Sequence, residues 1–208
     1  MAVRLARGGM LVLVLVAGCG RPFFSGGLDL QLTSRDRADG PALELGGSFT
    51  RAVYRVEDKN TVTVVLVQGR AEDPQRIATM RMFWRPVAGR TPIDRTATNA
   101  LVRYYEFRDS PEERDTLGLY AGGGFMRLDS DPNLNRVTGT LWDADLRLTD
   151  RSEAFVDRLG RAVLAGRFTA GRDDAGVTEL LHRLNQQVEE RLGYPRLVRA
   201  VRRGGSEG

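Results

Sequence analysis

The chain has 208 residues, of which 41% are hydrophobic and 28% charged, so it can bury one good core and is expected to form one domain. The net charge is +4, and two of those positive charges, Arg4 and Arg7, lie in the leading segment. The remaining charge is too small to indicate binding to nucleic acid or adhesion to an anionic bilayer. No run of about 20 apolar residues predicts a membrane-spanning helix.

The first 18 residues have the layout of a secretory signal peptide. A basic start precedes the apolar run 10–16, which is too short to cross a bilayer as a permanent helix. The small residues Ala17 and Gly18 follow, and directly after them comes Cys19, the only cysteine of the chain. This order predicts export and removal of residues 1–18.

The stretch from Val16 to Cys19 resembles the lipobox of bacterial lipoproteins, in which a small residue precedes an invariant cysteine. The resemblance covers residues 1–19 only and names no family for the mature domain. It implies cleavage before Cys19, a diacylglycerol thioether on its sulfur, and acylation of the new amino group, for example by palmitate. Two or three acyl chains anchor a protein stably. Gly20, where enteric inner-membrane lipoproteins carry aspartate, implies the outer membrane in an organism that has one. An ordinary signal peptide with a chance cysteine is the alternative.

Composition divides the rest of the chain into three parts. Pro, Ser and Gly in residues 19–27 predict a lipidated tether, and residues 199–208 predict a flexible tail. The expected folded unit is a single β-rich domain over residues 28–198.

Alternating and β-branched runs separated by turn residues predict about eight strands between residues 28 and 170. The runs 49–56 and 61–67 predict a hairpin, and the second of them is apolar on both faces, which is typical of a strand covered on two sides. The glycine run 122–124 predicts a bulge or bend, and Trp142 is expected to share a face with Ala144, Leu146 and Leu148. The predicted fold is mainly β, an antiparallel β-sandwich or barrel.

One amphipathic helix is predicted at the C-terminal side, from about residue 175 to 192. Asp173 or Asp174 is the expected cap at its start, and Gly193 is expected to end it. A shorter helical turn is predicted at residues 152–159.

The residues that enzymes commonly use are scarce in this chain. His182 is the only histidine and lies in the predicted helix, and neither a Gly-x-Ser-x-Gly elbow nor a phosphate-binding loop is present. We therefore expect no cofactor and favour a protein that is not an enzyme. The alternative is a hydrolase that acts on glycans through paired carboxylates, for which Asp94, Asp143 and Asp145 are the candidates.

An acidic loop offers a weak candidate for a metal site, because oxygen-bearing side chains recur at every second residue. Those side chains belong to Asp129, Asp131, Asn133 and Asn135. Leu134 and Thr140 stand where a calcium loop of the EF-hand type needs glycine and glutamate, so a turn between strands is the preferred interpretation.

A longer loop, residues 85–99, is the candidate for contact with a ligand or partner. Connections of this length are uncommon in compact domains and are often functional, and the flanking Trp84, Tyr104 and Tyr105 offer flat apolar surfaces. The predicted contact residues are Arg85, Arg90, Asp94, Arg95, Asn99 and Tyr104. The alternative is that the arginines pair with nearby acidic groups and carbonyls and only hold a covering loop in place.

The expected function is that of a membrane-anchored cell-envelope lipoprotein acting as a non-enzymatic binding or structural module. Its expected partners are the lipid membrane, through acylated Cys19, and an envelope protein or polysaccharide, but not nucleic acid.

The anchor prediction can be checked by mass spectrometry of the protein extracted from membranes. We expect a mature chain that begins at Cys19 and carries a diacylglycerol thioether on it, because the lipobox-like stretch ends there. An intact leading segment, or a free thiol on Cys19, would contradict it.

Overall fold

The structure, a computed structural model, describes residues 29–36, 49–70, 72–86, 97–109 and 115–194. The predictions for Cys19, the tether and the tail fall outside these residues. The elements are β1 (Asp29–Ser34), β2 (Arg51–Val56), β3 (Val62–Gly69), β4 (Pro74–Met82), β5 (Ala100–Arg108), β6 (Thr116–Leu128), β7 (Arg136–Arg151), β8 (Ala162–Arg172) and α1 (Asp174–Leu192).

The strands form one sheet that closes on itself. From β2 to β8, each strand pairs antiparallel with the next strand along the chain. The second edge of β8 then pairs antiparallel with β1 and, at its end, parallel with β2. The predicted mainly β fold with one C-terminal helix is confirmed, and the closed pairing gives the sheet the form of a barrel.

Strand β3 shows how the sequence builds a core on both faces of the barrel wall. Val62, Val64 and Leu66 point inward and belong to the interior core. Val65 and Val67 point outward and pack in a second core beneath α1. Because successive side chains of a strand alternate between faces, an unbroken apolar run requires cover on both. The prediction of a strand covered on two sides is confirmed.

Helix α1 covers the outer face of strands β2 to β6. The backbone N–H of Gly176 donates to Asp173 Oδ1 at 2.8 Å, so Asp173 is the cap, and Gly193 ends the helix with a φ of 78°. The buried face holds Val177, Leu180, Leu184 and Val188. The amphipathic helix is confirmed. Among the described residues, no helix combines the length and apolar character needed to cross a membrane.

A β-bulge in β7 changes the face on which Trp142 was predicted to lie. The register against β8 shifts between Leu141 and Ala144, and Asp143 within the shift has a φ of 43°. Leu141 therefore joins the interior core, whereas Trp142 points outward with 38% of its surface exposed. The prediction that Trp142 shares the inner face of Ala144 and Leu146 is wrong, because the bulge resets the alternation.

At the glycine run of β6, where a bulge or bend is predicted, β6 pairs regularly with β5, and the irregularity is the bulge of the facing strand β7. The register against β7 shifts between Gly123 and Phe125. A Cβ atom on Gly122 would lie 1.7 Å from the carbonyl oxygen of Asp145, so the two backbones come closer here than any side chain would allow.

One end of the barrel is closed by residues 152–161, which we call the plug. Phe155 and Leu159 from this segment are buried in the interior core. A Cβ on Gly118 would lie 2.2 Å from the Phe155 ring, so glycine at this position makes room for the ring. The predicted helical turn at 152–159 is wrong: the segment consists of turns and bends, since its apolar side chains are used to fill the barrel.

Because the buried face of α1 is closely packed, we expect truncation of a side chain on that face to lower the free energy of unfolding strongly. Leu184 is 1% exposed, and we expect Leu184→Ala to lower the free energy of unfolding by about 2–5 kcal/mol, measured by denaturant titration. His182 is exposed on the same helix, so His182→Ala, the control, should change it by no more than about 0.5 kcal/mol. Equal effects of the two variants would show that α1 does not pack as described.

Candidate functional site

The long loop predicted as a contact surface is described only at its two ends. Arg85 lies at the start and is half-buried, and Asn99 lies at the end and is fully buried. Arg90, Asp94 and Arg95 fall outside the described residues, so the contacts predicted for them stay predictions.

Asn99 is a buried clamp at the base of this loop. Its Nδ2 donates to the carbonyl oxygens of Trp84 at 3.1 Å and Met126 at 2.7 Å. Its Oδ1 accepts from the Met126 backbone N–H at 2.6 Å. The prediction that Asn99 contacts a ligand therefore needs correction: the amide is occupied in tying the start of the loop to β6.

The prediction that Tyr104 contacts a ligand also needs correction, because its side chain points into the barrel. It is 2% exposed and packs against Tyr120 with ring centroids 6.1 Å apart. Burial raises the pKa of the Tyr104 hydroxyl above its ordinary value. A ligand on the outer surface does not reach this ring.

Three aromatic side chains beside the loop form a connected group on the outer wall, which we call the aromatic cluster: Trp84, Phe125 and Trp142. The rings of Trp84 and Phe125 meet edge to face with centroids 6.0 Å apart, and those of Phe125 and Trp142 lie 5.7 Å apart. The Arg127 guanidinium lies 5.1 Å from the centroid of the Trp142 ring. Trp84 Nε1 donates to the Thr98 carbonyl at 3.3 Å, which joins the cluster to the end of the loop.

The surroundings of the aromatic cluster are apolar and basic. Phe83 and Leu101 are 46% and 40% exposed. Arg127 is paired with Asp129 at 2.9 Å, and on β8 the exposed Arg167 stands directly across from Thr140 of β7. Exposed aromatic and apolar groups beside guanidinium groups are typical of a contact surface.

Sequence reasoning named Trp84 as a flanking residue of the loop but missed Phe125 and Trp142. Phe125 lies directly after the glycine run, and Trp142 fitted the inward alternation. The bulge of β7 brings Trp142 outward, and the register that creates the bulge depends on the pairing of β7 with β6 and β8.

The acidic loop is held together by its own hydrogen bonds. Asp131 Oδ1 accepts from both the backbone N–H and the Nδ2 of Asn133 at 3.0 Å, and the Asn135 carbonyl accepts from the backbone N–H of Arg172. The Tyr54 hydroxyl donates to the carbonyls of Pro132 and Leu134 from inside the barrel. These bonds support the turn interpretation. In the part of the chain that the structure describes, no group of at least three His, Cys, Asp or Glu residues could hold a metal ion.

Asp143 and Asp145, two of the carboxylates considered for hydrolysis, lie on the open outer surface. Arg161 Nε donates to Asp145 Oδ1 at 2.9 Å, and this hydrogen bond lowers the pKa of the Asp145 carboxyl below its ordinary value. A carboxyl held ionised in this way is a poor proton donor. Asp143 is exposed in the bulge, and Asp94 falls outside the described residues.

At the plugged end the barrel interior becomes polar. Glu106, 5% exposed, pairs with Arg108 at 3.2 Å, and the Arg108 guanidinium lies 4.5 Å from the centroid of the Phe155 ring. The Tyr120 hydroxyl donates to Asp157 Oδ1 at 2.7 Å. These contacts hold the plug on the barrel.

Comparison with known proteins adds no relative. Neither a scan against protein-family models nor searches of curated proteins and of solved structures found a match to this chain.

Because Asn99 bonds to both Trp84 and Met126, we expect it to stabilise the fold and the aromatic cluster. Asn99→Ala leaves the Met126 N–H buried without its partner, and we expect a loss of about 2 kcal/mol or more in the free energy of unfolding, with a red shift of tryptophan emission. Thr98→Ala serves as the control, because the Thr98 side chain is exposed and the bond to Trp84 uses its backbone carbonyl. If both variants behave like the wild type, Asn99 is not the clamp.

Proposed function

We propose that this chain is a membrane-anchored cell-envelope lipoprotein whose barrel acts as a non-enzymatic binding module. The observation that carries the proposal is the aromatic cluster with Arg127, set at the base of a long loop on the outer wall. Anchoring through Cys19 is supported by the lipobox-like residues Val16 to Cys19, and Gly20 favours the outer membrane where the organism has one.

Because side chains fill the interior of the barrel, we place the contact with a ligand or partner on its outside. Large side chains occupy the space that a ligand would need in an open barrel of this size. They include Tyr54, Tyr104, Tyr120, Phe155 and Phe168, each exposed by 2% or less. The wall is therefore a rigid support, and the side chains that project from it make the contacts.

The aromatic cluster has the composition of a binding hot spot. Trp and Arg side chains contribute most to the affinity of many protein interfaces, because they bury a large area and lose little conformational freedom. Trp142 is held between Phe125 and Arg127, so its ring is oriented before a partner arrives. A partner that covers this ring gains contact without the cost of ordering it.

The alternative, a hydrolase acting on glycans, receives less support. Such enzymes need one carboxyl that stays protonated and a second that is ionised, both facing the same cleft. Asp145 is paired with Arg161 on the outer face of β7, where its pKa is lowered rather than raised.

The proposed contact surface can be tested by cross-linking and capture of the lipidated protein from native envelopes. We expect Trp142→Ala to weaken capture of the envelope partner by about tenfold or more, because the exposed ring is lost from the centre of the surface. The control is Leu134→Ala, which removes a side chain that is 56% exposed but belongs to the acidic loop. Unchanged capture by Trp142→Ala would overturn the proposal. A variant with Arg85, Arg90 and Arg95 replaced by alanine tests whether the loop contributes.

A further inference from the structure

Three exposed apolar side chains share one area of the outer wall of β4 to β7, and we call them the apolar patch: Phe83, Leu101 and Trp142. They are 46%, 40% and 38% exposed. The other large apolar side chains exposed in the described part of the chain lie apart, in the acidic loop, in the plug and after α1: Leu134, Val156 and Tyr194. Single exposed apolar residues are ordinary on a protein surface, whereas a group of them marks a contact.

The pairing of the strands places the apolar patch in two neighbouring rows across the wall. The backbone N–H of Phe83 donates to the carbonyl of Asn99, and Asn99 bonds in turn to the residue before Phe125. Phe125 pairs with Trp142 of β7. Leu101 follows two residues after Asn99 and lies in the next row. The patch therefore spans four strands, a width of about 15 Å.

The strand that leads from the anchor joins the wall beside this patch. Asp29, the first residue of β1, pairs with Arg167 of β8. Arg167 pairs on its other edge with Thr140 of β7, which pairs with Arg127 of β6. Neighbouring strands lie about 4.8 Å apart, so the backbone of Asp29 is about 15 Å along the wall from that of Arg127. The Arg127 guanidinium, in turn, lies 5.1 Å from the centroid of the Trp142 ring.

The plugged end of the barrel lies further from the anchor. From Asp29, β1 runs about 17 Å to Ser34, whose Oγ donates to the Leu159 carbonyl of the plug at 2.6 Å. Cys19 comes ten residues before Asp29, and a chain of that length reaches at most about 35 Å. A lipid on Cys19 therefore keeps the start of β1 near the membrane surface and favours contact through the apolar patch over contact through the plug.

The side chains of the patch suit the boundary between water and lipid. Tryptophan is enriched there, because its ring is apolar and its N–H is polar. The Arg127 guanidinium, stacked on the Trp142 ring, can face water and lipid phosphates while the ring is covered. Arg127 is paired with Asp129 at 2.9 Å, and the net charge of the chain is small, so the contact depends on burial of apolar side chains and not on anionic lipid.

We propose that the anchored domain lies on the bilayer with the outer wall of β4 to β7 against it, and that Phe83, Leu101 and Trp142 insert among the lipid headgroups. Three side chains are too few to hold a free protein on a membrane, but acylated Cys19 keeps them at a high effective concentration beside the lipid. The inference rests on the proposed function, since it names phospholipid as the partner of the anchored module's contact surface.

The chain has two tryptophans, so one substitution isolates a reporter in the patch. In Trp84→Phe, Trp142 is the only tryptophan. The lipidated protein is reconstituted into vesicles of phosphatidylcholine, either plain or with brominated acyl chains, and bromine quenches a tryptophan that it contacts. We expect the brominated lipid to lower the emission of Trp142 about twofold, because a ring at the interface lies beside the acyl chains.

A second reporter tests whether the contact is confined to the patch. Val156→Trp places a tryptophan in the plug, in a chain where Trp84 and Trp142 are both phenylalanine. Val156 is 53% exposed, so this ring is also open to its surroundings. Its emission should be the same in the two kinds of vesicle, because the plug faces away from the membrane.

The critical variant combines Phe83→Ser and Leu101→Ser in the Trp84→Phe background. It removes the other two apolar side chains of the patch and should strongly reduce the quenching of Trp142 by brominated lipid. Both side chains are exposed, so the fold is retained. Val156→Ser is the matched control, since it removes an exposed apolar side chain outside the patch, and it should leave the quenching unchanged.

Quenching of Trp142 that the double variant reduces and Val156→Ser does not supports the inference. Equal emission of Trp142 in the two kinds of vesicle, equal quenching of the Val156→Trp reporter, or quenching that the double variant leaves unchanged overturns it. Protection of Trp142 from acrylamide in native envelopes but not in vesicles would mean that an envelope protein or polysaccharide covers the ring, and this too overturns it. Weaker capture of that partner by Trp142→Ala would still stand, so failure of the membrane contact is distinguishable from failure of the proposed function.

Discussion

Tyrosines inside the barrel fasten the segments that cover its two ends. The Tyr54 ring is fully buried in the interior core, and its hydroxyl donates to carbonyls of the acidic loop at one end. The Tyr120 ring is equally buried, and its hydroxyl donates to Asp157 of the plug at the other end. Each of these hydrogen bonds offsets the free-energy cost of burying the phenol hydroxyl. The same residues therefore fill the interior and hold the acidic loop and the plug in place.

This arrangement explains why two predicted contact residues changed their role. Tyr104 alternates into the interior with the other tyrosines, and Asn99 is buried where the loop rejoins the sheet. Both have side chains common at contact surfaces, but residue type alone does not distinguish a group that faces a ligand from one that satisfies the backbone. Trp142 is the opposite case. It was expected to face the interior, but its ring is the most exposed one of the aromatic cluster.

Much of the fold was predictable, because local patterns determine it. The two-sided apolar run of β3, and Asp173 and Gly193 at the ends of α1, act through neighbouring residues. The bulge at Asp143 and the plug were not predictable. The bulge depends on the register in which β7 pairs with both β6 and β8, and a shift of one residue reverses which side chains face the core. The plug depends on the space that the closed barrel leaves inside it. The candidate site depends on that bulge, so only the loop beside it could be recognised from the sequence.

The pairing of β8 also determines when the fold can be completed. Val53 of β2 pairs with Gly171 of β8, and β1 pairs with the same strand, so the wall closes only when the last strand of the domain is available. Contacts between residues so far apart along the chain form slowly, because a long loop must close first. The barrel wall therefore stays open until β8 has been synthesised, and the interior core is completed only when both ends of the domain are present together.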